Sequence, residues 1–262
     1  MRFTLDHFWL PKFGNEQADY EDAFAPKSNG TIDQESLSLA IADGATESSF
    51  ASDWAKMLTR AFVKEPFTNL ETLQARTEIL SNRWQTFVNR RPLPWYAEEK
   101  VRLGAFATLL GVKLASSRNG LNNSGSWSAI AIGDTCLFQV RNDNLIRTFP
   151  ISSAGEFGNS PTLLSSNLAR NSRLWNNVRF QTEEWKTGDI FLLATDALAC
   201  WFLSQHERNE KPWNILLGFT GDPAPSESFK SWTDKVRSSE TRAPGSSSQL
   251  KNDDICLLLL KV

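Results

Sequence analysis

The 262-residue chain has few of the residues that build disulfide frameworks or nitrogen- and sulfur-based metal sites. It contains three cysteines and two histidines. Cys136, Cys200 and Cys256 are far apart, each within an apolar run, and no pair of them has zinc-ligand spacing. An odd number of buried thiols is typical of a reducing compartment, so we expect a cytoplasmic protein without structural disulfides.

Long hydrophobic runs and an excess of one charge are also missing. The longest aliphatic run, Ile255 to Leu260, is too short to span a bilayer. The first fourteen residues are interrupted by Asp6, His7 and Lys12 and lack the apolar core of a signal peptide. With 28 Lys and Arg against 30 Asp and Glu, the chain has no basic excess for nucleic-acid phosphates. We therefore expect neither a membrane nor a nucleic-acid partner.

Two common catalytic motifs are absent as well. No Gly-x-Ser-x-Gly sequence provides the nucleophile of a Ser-His-Asp hydrolase. The glycine pair Gly120 and Gly125 is not followed by the Lys-Ser/Thr of a phosphate-binding P-loop. Any catalytic chemistry must therefore come from other side chains.

Hydrophobic periodicities of two kinds interleave along the chain and predict an α+β fold. Strands are predicted at 3–5, 37–41, 103–114, 129–132, 136–140, 145–149, 190–195 and 255–262, and helices around 54–62, 70–87, 197–205, 212–217 and 227–237. Residues 126–149 resemble a three-stranded antiparallel meander with Gly133-Asp134 as its first turn. Because hairpins outnumber strand-helix-strand units, we expect antiparallel sheets covered by helices, in a single domain spanning residues 1–262.

Aspartates stand at the ends of several predicted strands, where basic residues are missing. No Lys or Arg occurs at 28–55, 119–140 or 187–207, and these windows contain Asp43, Asp134 and Asp196 directly after apolar runs. Asp253-Asp254 directly precedes the last predicted strand. Because antiparallel neighbours alternate in direction, all these ends can meet at one edge of a sheet.

Clustered carboxylates need a neutralising cation, and oxygen-only ligands favour Mg²⁺ or Mn²⁺. A pair of such ions activates water and clamps a phosphoryl group, so the pattern indicates hydrolysis of a phosphate ester. The alternative is that each aspartate only forms a turn, through hydrogen bonds to nearby backbone N–H groups. The strand-end positions alone leave both interpretations open.

Six short motifs, in chain order, resemble the metal-dependent serine/threonine protein phosphatases of type 2C. They are Tyr20-Glu21-Asp22-Ala23, Ala42-Asp43-Gly44, Gly104-Ala105-Phe106-Ala107-Thr108, Ile132-Gly133-Asp134-Thr135, Leu193-Ala194-Thr195-Asp196-Ala197 and Asp253-Asp254-Ile255. The resemblance implies a four-layer α-β-β-α sandwich, in which two antiparallel sheets are flanked by helices. It also implies an irregular flap-like segment at about 150–188. Basic residues in and just before this segment would either help to dock the substrate or be ordinary solvated side chains: Arg141, Arg147, Arg170, Arg173 and Arg179.

The resemblance further implies a binuclear metal centre bridged by Asp43. The implied ligands of two Mg²⁺ or Mn²⁺ ions, and of a third ion as in bacterial members, are Glu21, Asp43, Gly44, Asp134, Asp196 and Asp253. Asp43, Asp196 and Asp253 would act in catalysis through metal-bound water, and Asp22 would orient water or ligands behind them. The implied reaction is hydrolysis of phosphoserine or phosphothreonine by a metal-bound hydroxide. The implied partners are a phosphorylated protein and its cognate kinase, with the phosphatase acting as a monomer.

Three positions depart from the family pattern. Gln17 stands where the family has a phosphate-gripping arginine, Ala197 replaces a glycine, and Asp254 replaces the usual asparagine. The loss of a bidentate guanidinium weakens phosphate anchoring. An alternative prediction is therefore a catalytically weak or inactive type 2C fold that acts as a phosphoprotein-binding or regulatory module.

Overall fold

The computed structural model describes residues 2–90, 101–117, 124–158, 160–238 and 250–262. Its strands are Arg2–Leu10 (β1), Ala23–Ala25 (β2), Gly30–Asp33 (β3), Ser36–Ala42 (β4), Phe106–Ala107 (β5), Leu109–Ser116 (β6), Ser124–Ile132 (β7), Cys136–Arg141 (β8), Asn144–Phe149 (β9), Leu164–Ser165 (β10), Arg179–Lys186 (β11), Ile190–Ala194 (β12) and Ile255–Lys261 (β13). Its longer helices are Ala51–Lys64 (α1), Leu70–Asn89 (α2), Asp196–Glu207 (α3), Pro212–Gly218 (α4) and Pro225–Ser238 (α5).

Two antiparallel sheets form the centre of the molecule. One has six strands in the order β3-β1-β13-β12-β8-β9, and the other has five in the order β11-β7-β6-β4-β2. The short strands β5 and β10 pair separately. The predicted α+β fold with two antiparallel sheets flanked by helices is confirmed.

Three hydrophobic clusters hold the layers together. Between the sheets, Phe3, Trp127 and Leu258 belong to the first cluster. The second joins the six-stranded sheet to α3, α4 and α5, and the third joins the five-stranded sheet to α1 and α2. The run Ile255–Leu260 is apolar throughout because β13 is covered on both faces: Leu258 faces the other sheet and Leu259 faces the helices. Within the described ranges, none of the helices has both the length and the apolarity to cross a membrane.

The predicted three-stranded meander at 126–149 is wrong in its first turn. β7 pairs with β6 and β11 in one sheet, whereas β8 pairs with β9 and β12 in the other. Gly133-Asp134 is therefore a crossing between sheets rather than a hairpin. Both β7 and β8 bury side chains in the inter-sheet cluster. Two strands in facing sheets bury alternate side chains as well as two hydrogen-bonded strands of one sheet do.

Two further predictions need correction. The strand predicted at 103–114 begins only at Phe106, because residues 101–103 are helical, and it is interrupted at Thr108. The irregular segment expected at about 150–188 ends at Val178, since all eight residues of β11 pair with β7. The part before β11 is held in place by hydrogen bonds: Asn171 pairs with the backbone of Ser165, and Ser81 donates to the carbonyl of Ser166.

Candidate functional site

The predicted site residues lie where strands of both sheets end. Asp196 follows β12, Asp134 precedes β8 and Asp253 precedes β13. Ala194 of β12 lies opposite both Cys136 and Leu257, so these three chain ends share one end of the six-stranded sheet.

Asp22 and Asp43 occupy the corresponding place in the five-stranded sheet. Ala23 pairs with Ala42, so Asp22 lies just before β2 and Asp43 just after the neighbouring β4. A hydrogen bond of 2.7 Å between the Thr108 and Thr135 hydroxyls connects this end of one sheet to the crossing that carries Asp134. The antiparallel arrangement thus gathers five predicted carboxylates at one end of the sandwich.

Thr108 fixes the backbone of Asp43 from two sides. Its hydroxyl accepts a hydrogen bond from the Asp43 N–H at 2.8 Å, and its own N–H donates to the Asp43 carbonyl at 2.8 Å. Thr108 is the residue between β5 and β6. The strand is interrupted there because Thr108 makes its hydrogen bonds to Asp43. Sequence reasoning identified Thr108 only as part of a motif and did not predict this role.

Gly44 permits the close approach of Glu21. A Cβ atom at Gly44 would lie 2.7 Å from the carbonyl oxygen of Glu21 and 3.1 Å from the Cβ of Ala51. Backbone atoms cannot yield easily at such distances, so only glycine fits here. The glycine therefore brings the backbone of Glu21 against the Asp43-Gly44 turn.

Asp254 holds the loop that leads to Glu21, a role that its sequence position did not predict. Its carboxylate accepts hydrogen bonds from the Lys12 N–H at 2.8 Å and from the Glu21 N–H at 2.7 Å. Both its oxygens are thereby engaged, and its extra charge compared with asparagine is used for backbone contacts. The predicted ligand Asp253 is partly exposed beside it.

The carboxyl groups of Asp22 and Asp43 are neighbours in a poorly hydrated place. Burial, followed by the charges of Asp43 and Asp254, holds the pKa of Asp22 well above its ordinary value. Loss of hydration, followed by the charges of Asp196, Asp134 and Asp253, does the same to the pKa of Asp43. These shifts are those of acids that face other acids rather than bases.

Asp196 and Asp134 extend this acidic cluster into the six-stranded sheet. Burial, then repulsion from Asp134 and Asp253, raises the pKa of Asp196 to about 7. Asp196 is also the first residue of α3, and one of its oxygens accepts a 2.6 Å hydrogen bond from the Ala197 N–H. Burial raises the pKa of Asp134, and the positive charge of Lys251 opposes this rise.

Several carboxylate oxygens in this cluster lack donors. Thr195 lies next to Asp22, but within the described ranges no donor meets hydrogen-bond geometry at either Asp22 oxygen, nor at Oδ1 of Asp134. Both residues are buried, with 2% and 6% of their surface exposed. Buried carboxylates without donors are costly unless a cation compensates them, so the oxygen-only donor set fits hard divalent ions. Across the same ranges, no three His, Cys, Asp or Glu side chains already stand as a preformed metal-binding group.

Gln17, at the position of the missing arginine, lies away from this cluster. It lines a cavity of about 350 Å³ together with His7, Asn29 and Glu227. Lys12 instead lines a cleft of about 490 Å³ that also contains Glu21 and Thr46. Sequence reasoning missed Lys12 because it lies nine residues before the acidic motif and is brought to it by a loop.

Comparison with solved structures shows the same fold in phosphatases. The photosystem II phosphatase PBCP matches with a TM-score of 0.52 and 16% identity, over 99% of this chain and 98% of that chain. The serine/threonine phosphatase PstP/Ppp of Mycobacterium tuberculosis matches with a TM-score of 0.54 and 15% identity, over 100% of this chain and 99% of that chain. The catalytic domain of PstP in complex with two manganese ions gives a TM-score of 0.54 and 15% identity, over 99% and 98%.

Sequence comparisons give the family itself. No curated protein sequence matches the chain at a significant level. The family model described as protein phosphatase 2C, however, matches residues 15–251, which include every predicted site residue except Asp253. The chain therefore belongs to the protein phosphatase 2C family.

Proposed function

We propose that this protein is a metal-dependent protein phosphatase that hydrolyses phosphoserine or phosphothreonine. The observation that carries the proposal is the cluster of Asp22, Asp43, Asp134 and Asp196, whose pKa values are raised by burial and by neighbouring acids. The cluster includes buried oxygens that have no donor among the described residues. Its location at one end of a protein phosphatase 2C sandwich supports the same function.

The chain offers ligands for two Mg²⁺ or Mn²⁺ ions around Asp43, and for a third. In this proposal Asp43, the Glu21 side chain, the Gly44 carbonyl, Asp134, Asp196 and Asp253 would hold these ions, with Asp43 as their shared ligand. When bound, such ions activate water and neutralise phosphoryl charge. The complex of the PstP catalytic domain with two manganese ions supports this number of ions.

The protein itself contributes position. Thr108 holds the Asp43 backbone on both sides, and Asp254 holds the backbone of Glu21. Asp22, buried directly behind Asp43, orients water or ligands. Because these residues are held in place, the site keeps its geometry when an anion enters. A fixed geometry favours in-line displacement at phosphorus.

The partners follow from the same proposal. The substrate is a phosphorylated protein, supplied by a cognate serine/threonine kinase, and the phosphatase acts as a single-domain cytoplasmic monomer. The similarity in fold to PstP, a serine/threonine phosphatase, supports this substrate class.

Hydrolysis of a phosphothreonine peptide with Mn²⁺ or Mg²⁺, with and without EDTA, tests the proposal. We expect turnover with either ion and its loss on chelation. Turnover that persists in EDTA would exclude metal dependence.

The second candidate is a regulatory module of the same fold that binds phosphoproteins without turning them over. The departure at Gln17 favours it, because this side chain lines a different cavity from Glu21. Calorimetric titration with Mn²⁺ separates the two: tight binding of the ion without hydrolysis of any phosphopeptide indicates the module, and hydrolysis excludes it.

A further inference from the structure

The loop at residues 11–15, here called the 11–15 loop, is tied firmly to the C-terminal segment beside the carboxylates. The Lys12 N–H donates to Asp254, the Phe13 N–H donates to Asn252 at 2.7 Å, and Asn252 donates back to the Phe13 carbonyl at 3.3 Å. Arg237 donates to the carbonyls of Pro11 and Asp253. Three residues outside the loop, Arg237, Asn252 and Asp254, thus fix a loop that belongs to no helix or strand.

The tip of this fixed loop displays an aromatic ring to solvent. Phe13 is 74% exposed, and the next most exposed large apolar side chain in the described ranges, Leu103, is 45% exposed. Ordering a loop costs conformational entropy, and leaving a phenylalanine in water gains nothing for folding. A ring held in the open on a fixed loop can contact a partner without the entropy loss that ordering a mobile loop would cost.

The same loop contributes the basic residue of the cleft beside Glu21. The cleft runs between the 11–15 loop and the first turn of α1, and its acidic lining residues are Asp19, Glu21 and Asp53. Among its lining residues in the described part of the chain, Lys12 alone is basic. An anion entering this cleft is repelled by three carboxylates unless Lys12 and bound cations compensate.

We propose that the 11–15 loop recognises the phosphorylated segment of the substrate, with Lys12 binding the phosphate and Phe13 contacting the neighbouring residues of the peptide. The proposal rests on the proposed function and adds to it a phosphate anchor that replaces the missing arginine. Its basis is the juxtaposition of one basic and one exposed aromatic side chain on a fixed loop that borders the cleft of Glu21.

A competing role for Lys12 is to act only as a counter-ion. Burial raises the pKa of Glu21, a hydrogen bond with Thr46 lowers it, and the nearby Lys12 charge lowers it further. A counter-ion competes with metal ions for Glu21, whereas a phosphate anchor contributes to substrate affinity. The two roles therefore predict different changes on removal of the charge.

The decisive measurement is binding, by fluorescence anisotropy, of a labelled peptide that carries a non-hydrolysable phosphonate, in the presence of Mn²⁺. Lys12→Met is expected to raise the Kd about tenfold, and Lys12→Arg to restore most of the affinity, because a charge-assisted contact to phosphate is lost and regained. Lys230→Met is the matched control, since Lys230 is exposed and pairs with Asp234. If Lys12→Met leaves the Kd of the peptide unchanged and binds Mn²⁺ more tightly, Lys12 is a counter-ion and its role as phosphate anchor is overturned.

Phe13 is tested by the ratio of two dissociation constants, for the phosphonate peptide and for inorganic phosphate as competitor. Phe13→Ala is expected to raise this ratio about fivefold because an aromatic contact to the peptide is lost. Lys12→Met raises both constants together and leaves the ratio near its wild-type value. Ile215→Ala, which removes a side chain that is 44% exposed on α4, is the control. An unchanged ratio in Phe13→Ala overturns the role of Phe13.

The outcomes separate this inference from the proposed function. If the wild-type protein binds the phosphonate peptide through Lys12 but does not hydrolyse a phosphothreonine peptide, the recognition role of the loop stands and the proposed phosphatase activity is overturned. If the wild-type protein hydrolyses the peptide and its Lys12 and Phe13 variants bind like wild type, the phosphatase activity stands and the recognition role of the loop is overturned. Melting temperatures of all variants establish that they are folded. If Lys12→Met does not fold, Lys12→Gln, which also removes the charge, takes its place in the test.

Discussion

The two ends of strand β12 each carry an aspartate, and the two aspartates have opposite surroundings. Asp189, just before the strand, is fully buried and accepts hydrogen bonds from both Nε and Nη2 of Arg141 at 2.6 Å, from Gln139 at 2.7 Å and from the Lys186 N–H at 2.9 Å. Asp196, just after the strand, faces Asp134 and Asp253. Roughly 20 Å of extended chain separates a saturated carboxylate from an electrostatically unfavourable one.

The two ends differ in how fully their carboxylates are hydrogen-bonded. At the Asp189 end, Gln139 continues the network by accepting from the indole N–H of Trp127, so a strand of each sheet is joined through polar contacts. At the Asp196 end, Asp196 accepts one backbone hydrogen bond, from Ala197, and Asp22 and Asp134 keep oxygens without partners in the described ranges. A buried carboxylate is saturated at one end of the fold and not at the other, and this contrast supports the proposed metal site at the second end.

The largest expected effect is a difference in activity between substitutions at the two ends. Asp43→Asn is expected to lower kcat on a phosphothreonine peptide at least about 10³-fold, because a bridging carboxylate is lost from the proposed metal centre. Asp189→Asn, corrected for the folded fraction, is expected to remain within about threefold of wild type, since it lies at the far end of the sandwich. Steady-state kinetics with Mn²⁺ measures both. Equal losses in the two variants would contradict the division of roles.

The second effect concerns stability, and here the two ends should differ in sign. Asp189→Asn is expected to lower the free energy of unfolding by about 3 kcal/mol, because it breaks a buried ion pair with Arg141. Asp22→Asn, in metal-free protein, is expected to raise it by about 1 kcal/mol, because a buried charge without donors is removed. Urea unfolding in EDTA gives both values. Destabilisation by Asp22→Asn of the size seen for Asp189→Asn would show that the acidic cluster is also a structural network.

Sequence reasoning predicted the sandwich and the strand-end aspartates but not the surroundings of each acid. Asp189 and Asp196 lie in the same window without basic residues, yet Arg141 reaches Asp189 from β8, whereas among the described residues no base reaches Asp196 as closely. Local composition says little about partners that arrive from other strands. The same limit applies to Lys12, which a loop brings to Glu21, and to Asp254, whose role depends on backbone N–H groups.

The strand errors have a related cause. The apolar pattern of 126–149 fits a paired meander and a sheet crossing equally well, because both bury alternate side chains. The periodicity at 103–114 could not reveal the break at Thr108, since this residue uses its hydroxyl and N–H on Asp43 rather than on a neighbouring strand. The hydrogen bonds between Thr108 and Asp43 thus account for the place where the regular pattern fails.

The third effect is stabilisation by metal. Saturating Mn²⁺, at about 100 times its Kd, adds about 2.7 kcal/mol to the free energy of unfolding, which raises Tm by roughly 5–10 °C for a chain of this size. The shift is expected to persist in Asp189→Asn, whatever its lower starting Tm, and to disappear in Asp43→Asn. Differential scanning fluorimetry with and without EDTA checks this. A shift that survives in Asp43→Asn would place the ion elsewhere.

The smallest effect is a pH dependence of the metal-free protein. The pKa of Asp196 is raised by burial and by Asp134 and Asp253 from 3.8 to about 7 in the folded state. Between these values the folded protein holds a proton that the unfolded chain has released, so stability falls as pH rises from about 4 to about 7 and then levels off. We expect Tm in EDTA to be a few degrees higher at pH 5 than at pH 8. Asp196→Asn should reduce this Tm difference, and Asp189→Asn should retain it. Mn²⁺ should raise Tm at pH 8 enough to remove most of the difference. A metal-free protein that becomes more stable with rising pH over this range would mean that the carboxylates of the Asp196 end have donors after all, and the contrast with the Asp189 end would be lost.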